Sequence, residues 1–297
     1  MKVLFIVGNG FDLSHGIPSA YKHFKKYMEF TYLPSEFVYP DISVGMGKDG
    51  ETVINPSNSA SLLQYCLDMI GDGSDWSDFE NDLAKITIDD VAPAESDFVS
   101  DEDDDSFPRY YHIMEDFNSD VLTISAFWSS LFKEWVENVV DSIDEYDYQL
   151  KKEVMDILNK EDVKVLSFNY TPFIENKYNF HNVCHIHGIY TDEFLVFGHG
   201  EEEKSIDFDY DNHAVNAKLH NMYKKDTNEL INKNLSFFDE INSDTLEIYC
   251  YGFGFGKADL PYVKEICKRV SKRCIWYLKR YRNIESSKPE YCLNKYG

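Results

Sequence analysis

The residues best suited to chemistry in this chain stand at the ends of short apolar runs. Val3-Leu4-Phe5-Ile6-Val7 stops at Gly8-Asn9-Gly10, with Phe11 and Asp12 next. DVKVLSFNY ends in Asn169-Tyr170-Thr171, and NVCHIHG in His185-Ile186-His187-Gly188. EFLVFGHG ends in Gly198-His199-Gly200, and TLEIYCYGFGFG carries Gly252-Phe253-Gly254. A G-x-G turn after a strand lets a diphosphate approach the backbone, and a following helix N-terminus favours an anion. Leu13 keeps the turn from completing G-x-G-x-x-G, and a plain tight corner accounts for a bare G-x-G equally well. Asn169 suits a polar site or a helix N-cap. His185 and His187 alternate on an expected strand, so they face opposite sides, one packed and one free to meet a site. His185, His187 and His199 lack a carboxylate at ligand spacing, and no metal is expected.

These ends gather only if the strands run parallel. The apolar runs at 2–8, 162–170, 182–188, 193–200, 245–256 and 273–280 are short and bounded by glycine or polar residues, as buried strands are. Helical spacing separates several of them, in Ser19–Phe30, in TPFIENKY, in roughly 213–239 and in DLPYVKEICKRVS. Near-continuous apolar strands alternating with helices imply an α/β fold, a Rossmann-like open parallel sheet covered on both faces. Ligands of such sheets bind beyond the carboxyl ends of the strands. Residues 57–160 read as a mostly helical insertion after the first βα unit, with Ser77 and Glu80 as a capping box and an acidic loop at 89–106. The core is then 1–56 and 161–297.

The chain has 297 residues, 43% of them hydrophobic, and a net charge of −24. So acidic a surface repels nucleic-acid backbones and anionic membranes, and neither is an expected partner. The charge is uneven: Asp89 to Asp105 holds nine acids and no base, while Lys257 onward holds eleven Lys or Arg against four acids. The six cysteines form no C-x-x-C pair, so structural zinc is not expected. No secretory leader or membrane span is evident, and a reduced cytoplasmic protein is the simple reading.

Taken in order, GNGFDLSHGIPSAYKHF, WSDFENDL, SFNYTPFIE, HIHG and FGHG resemble the AbiH family of bacterial phage abortive-infection proteins, over most of the chain. The same motifs are similar to the NAD-binding core of sirtuins, whose first strand leads into G-A-G-x-S-x-x-x-G-I-P. Gly8, Gly10, Gly16, Ile17 and Pro18 fall at those positions, Asn169 at the Asn of Q-N-I-D, and His187-Gly188 at the H-G. Gly252-Phe253-Gly254-Phe255 stands where sirtuins have G-T-S-L. The resemblance implies that Gly8, Asn9, Gly10 and Phe11 meet the NAD diphosphate, and that Gly188, Gly252, Phe253 and Gly254 line the nucleotide. It implies that Asn169 lies beside the nicotinamide ribose and its attacking water, with His187 as base or ribose partner. Two departures stand out: Asp12 replaces the Ser of G-A-G-x-S, and Thr171 replaces the Asp after the Asn. The sirtuin zinc module is missing, which argues against a deacylase.

The resemblance therefore implies an NAD hydrolase with NAD as substrate. Asn169 would orient water, His187 would take its proton, and Asp12 would bind ribose hydroxyls or offset the developing cation. A non-catalytic sensor of adenine nucleotides or ADP-ribose is one alternative. A metal-dependent hydrolase or nuclease built on Asp12, His187 and His199 is another. Restraint of a toxic activity would call for a partner, either a homo-oligomer or a phage-derived trigger.

Overall fold

A computed structural model of the chain describes residues 1–34, 36, 39–70, 76–92, 106–200 and 212–279. The acidic stretch at 93–105, Cys292 and the Ser77 side chain of the expected capping box lie outside the described residues. The chain forms two compact units. One comprises residues 1–23, 133–200 and the segment from 225 on; the other comprises 24–132 and 201–224.

The first unit holds the parallel sheet. Its strands are β1 (Val3–Val7), β4 (Val163–Ser167), β5 (Val183–His185), β6 (Glu247–Tyr251) and β7 (Ile275–Lys279). A two-stranded hairpin, β2 (Gly45–Met46) and β3 (Thr52–Val53), belongs to the other unit. The sheet order is β5-β4-β1-β6-β7, and every pairing is parallel. From β1 the chain works outward through β4 to β5, then crosses to the other side for β6 and β7. The topological switch therefore lies between β1 and β6, where ligands of open α/β sheets bind.

Strand β1 is central, and all five of its residues are buried. Leu4 and Ile6 pack with Leu166, Ile248, Phe238 and Tyr262, beneath α10 (Thr227–Lys233), α11 (Leu235–Asp239) and α12 (Leu260–Arg269). Phe5 faces the opposite layer and meets Phe11 of α1 (Asn9–Ser14) edge to face, at 6.2 Å. Phe11 in turn packs on Phe173 of α8 (Phe173–Tyr178). Each such buried side chain contributes about 1.5–3 kcal/mol. Apolar residues on consecutive positions suit a strand covered on both faces, so the doubly covered sheet expected from the sequence is the one observed.

Two strands differ from expectation. EFLVFGHG is irregular: Leu195 and Phe197 are buried, but the segment joins the sheet region by a Val196 N–H to His187 carbonyl bond of 2.8 Å and adds no strand to the sheet. NVCHIHG pairs only through His185, and Ile186 and His187 turn away. His185 and His187 are thus not alternating residues of one strand.

The second unit holds α3 (Pro56–Ile70), α4 (Trp76–Leu83), α5 (Ser106–Ala126) and α9 (His213–Met222). Helix α4 takes in both Ser77 and Glu80. Phe24 sets its ring edge-on to Phe79 and Phe132. Asn216 accepts from the Ile88 N–H at 2.7 Å and donates to Asp89 at 2.9 Å. These contacts draw residues 24–56 and 212–224 into this unit. The helix α7 (Lys152–Leu158), with Val154 and Leu158 buried, goes with the sheet. The boundaries therefore fall at 23/24, 132/133, 200/201 and 224/225, whereas the sequence pattern placed them at 56/57 and 160/161. Among the described residues no helix is long and apolar enough to cross a membrane.

Candidate functional site

The turn after β1 and the turn after β6 meet at the switch point. Gly10 N–H donates to the Gly252 carbonyl at 2.9 Å, Gly8 N–H to Tyr251 O at 3.1 Å, and Phe11 N–H to Gly8 O at 2.8 Å. Three of the amides that a phosphate cradle would offer are thus donated within the protein. Gly252 has φ of +64°, and a Cβ there would lie 2.2 Å from Phe11 N. A Cβ on Gly8 would lie 2.8 Å from the Gly252 carbonyl oxygen. These glycines are explained by two backbones pressed together. The Asn9 side chain accepts from Ser19 Oγ at 2.6 Å. A Cβ on Gly254, by contrast, would meet nothing within 4 Å. Phe253 lays its ring 4.4 Å from that of Phe168. Gly188, at φ +87°, ends the turn that carries His187.

Asp12 is buried in α1, its carboxylate turned toward the end of β4. Asn169 Nδ2 donates to Oδ1 at 2.9 Å, and Thr171 Oγ1 donates to Oδ2 at 2.7 Å. Burial raises the Asp12 pKa from 3.8 to about 7, against the pull of those two bonds. Asn169 is fixed at its other end. His185 Nδ1–H donates to its carbonyl at 2.8 Å, and His185 Nε2 meets Glu175 Oε1 at 2.8 Å. Thus Glu175, His185, Asn169, Asp12 and Thr171 form one continuous polar chain, half-buried at Glu175 and His185 and buried from Asn169 on.

The two departures from the sirtuin pattern meet here. A hydroxyl residue is expected at 12 and a carboxylate at 171; this chain has the carboxylate at 12 and the hydroxyl at 171. The pair is bonded. In the sequence Asp12 and Thr171 stood only as two separate departures; their bond is a finding of the structure.

His15, in the same opening motif, is structural. Its Nδ1–H donates to Phe11 O at 2.8 Å, and its Nε2 accepts from the Tyr178 hydroxyl at 2.7 Å. That hydroxyl accepts from the Lys151 amide at 2.8 Å. Burial lowers the His15 pKa to about 4 and raises that of Tyr178 to about 12. Tyr178→Phe strands both partners, and urea unfolding should show a loss of about 1–3 kcal/mol.

His187 belongs to a second cluster. Its ring packs against Phe168 at 5.4 Å, Tyr262 at 5.7 Å and Tyr170 at 6.4 Å. Its Nε2 is buried without a hydrogen bond, 3.6 Å from Asp259 Oδ1. Lys225 Nζ, also buried, stands 3.5 Å from the same oxygen. The Lys225 amide donates to His199 O at 2.8 Å, and Gly200 packs against Ala258 so closely that a Cβ would lie 2.8 Å from its Cα. His199 therefore joins this cluster through its backbone. Lys225 and Asp259 carry no local sequence signal, because their pairing spans separate helices. Among the described residues no group of three His, Cys, Asp or Glu side chains is arranged to hold a metal ion.

The family model for bacteriophage abortive infection AbiH matches residues 4–279. The chain belongs to the AbiH family. That span runs from β1 to β7, so the AbiH match takes in the whole sheet and both polar clusters. The AbiH description points to a role in abortive infection by bacteriophage. Comparison with curated proteins and with solved structures gave no match.

Proposed function

We propose that this AbiH-family chain is an NAD hydrolase that cleaves the nicotinamide–ribose bond during abortive infection. The observation that supports the reading is the Asp12–Thr171 bond, the exchange of carboxylate and hydroxyl between two positions of the sirtuin pattern, with Asn169 held on the same carboxylate.

The chemistry asks little of the protein. Nicotinamide is cationic in NAD and leaves neutral, taking the electron pair of the C–N bond. Positive charge then grows on the ribose, as in glycoside hydrolysis. A water oxygen bonds to the anomeric carbon, and its proton passes to a base. Asp12 titrates near neutrality and, when ionised, offsets the ribose cation. Asn169, fixed from both ends, orients the water. His187 is neutral, its pKa held well below 6.5 by burial and then by Lys225, so it is free to take the proton. The reading does not draw the diphosphate to the amides of Gly8, Gly10 and Phe11, which already have acceptors.

The test is incubation of purified protein with NAD, following nicotinamide release by chromatography. Wild type should release it, and His187→Ala should lose about 10²-fold or more. Equal rates from the two proteins overturn the reading. A rise in melting temperature with ADP-ribose and no turnover would point instead to a sensor.

A further inference from the structure

Lysine and aspartate are seldom buried unless paired. Here a buried Lys225 and a half-buried Asp259 meet beside the unsatisfied Nε2 of His187, all within the first unit. Lys225 sits just before α10 and Asp259 just before α12, so two helix entries bring the charges to the histidine. Among the described residues, the other groups that can titrate and face the ring are the phenols of Tyr170 and Tyr262.

We propose that Lys225 and Asp259 are positioning residues for His187: the lysine keeps the resting imidazole neutral, and the carboxylate steadies the imidazolium once Nε2 has taken a proton. The argument is one of charge placement. The ammonium and the imidazole Nε2 share one carboxylate oxygen, at 3.5 and 3.6 Å. A proton arriving on Nε2 puts a second positive charge beside that oxygen in a low-dielectric setting. Asp259, at 3.6 Å, attracts it, and Lys225 opposes it. Burial raises the Asp259 pKa, and the lysine draws the carboxyl part of the way back toward its ionised form. The pair therefore sets the pH below which the base is lost. This inference rests on the proposed role of His187 as proton acceptor.

The experiment is NMR titration of the imidazoles in isotope-labelled full-length chain, with the His187 signal assigned by its disappearance in His187→Gln. Lys225→Met and Lys225→Gln should move the His187 midpoint upward, and Lys225→Arg should keep it near wild type. Asp259→Asn should move it downward and serves as an independent arm if the lysine variants do not fold. The acid limb of the kcat/KM profile for NAD should move with the NMR midpoint. A His187 midpoint unchanged in folded Lys225→Gln, or in folded Asp259→Asn, overturns the proposal. Absence of NAD cleavage by wild type would overturn the proposed function instead, and the imidazole titration would still decide the role of Lys225 and Asp259.

Discussion

Gly252→Ala should destabilise the sheet unit by about 2–5 kcal/mol. The left-handed backbone accounts for about 1–2 kcal/mol of this. Overlap with the β1 turn accounts for about 1–3 kcal/mol more, because a Cβ would come within 2.2 Å of Phe11 N and 2.3 Å of Gly10 C. Both obstacles are backbone, which has no rotamer to move aside. The turns can part only by breaking the Gly10 N–H to Gly252 O bond. Gly254→Ala is the matched control, two residues away with open space around its Cβ, and should lie within about 0.5 kcal/mol of wild type. Urea unfolding of the two variants checks the pair. Equal midpoints would mean that the contact between the turns is dispensable.

Asp12→Asn should separate stability from activity. Folded Asp12 holds its proton up to about pH 7, whereas the unfolded chain releases it near 3.8. A raised folded pKa means that the stabilising contribution is fully present below pH 3.8 and is lost as pH climbs through about 7. Three units at 1.36 kcal/mol each make the loss about 4 kcal/mol. Asparagine retains the two bonds without the charge: its oxygen accepts from Asn169, and its amide donates to Thr171. Wild type and Asp12→Asn should therefore be close in stability at pH 4, and wild type should fall below the variant by pH 8, read from urea midpoints at the two values. A difference independent of pH would show that burial does not disfavour the carboxylate. The same variant should lose about 10²-fold or more in NAD cleavage, since an amide cannot offset a ribose cation. Full activity at pH 8 would remove Asp12 from the chemistry.

The parallel sheet was readable because its strands fall in short, largely apolar runs, and β1 and β6 end where glycine begins. EFLVFGHG carried the same signal without becoming a strand. Leu195 and Phe197 needed burial, and an irregular segment crossing over His187 supplied it. Asp12 and Asn169 were legible from their places after strands, and they meet at 2.9 Å. The purpose of Gly8 and Gly10 was not legible. A glycine signals close approach, but the spacing is the same whether the neighbour is a phosphate or another turn of the same chain. Lys225 and Asp259 were invisible for a different reason: in sequence, a buried ion pair looks like two ordinary surface charges.

The position of β1 at the centre of the sheet has a consequence for synthesis. The strand leaves the ribosome well before its neighbours, residues 163–167 and 247–251. At about 5–20 residues per second, Val3-Leu4-Phe5-Ile6-Val7 waits on the order of tens of seconds for its second flank. During that interval an apolar β-forming stretch has no ladder to join, and the whole 24–132 segment emerges before either partner. The nascent chain is therefore exposed to wrong strand pairing until β6 has emerged, and β1 has to be held apart from other strands until then.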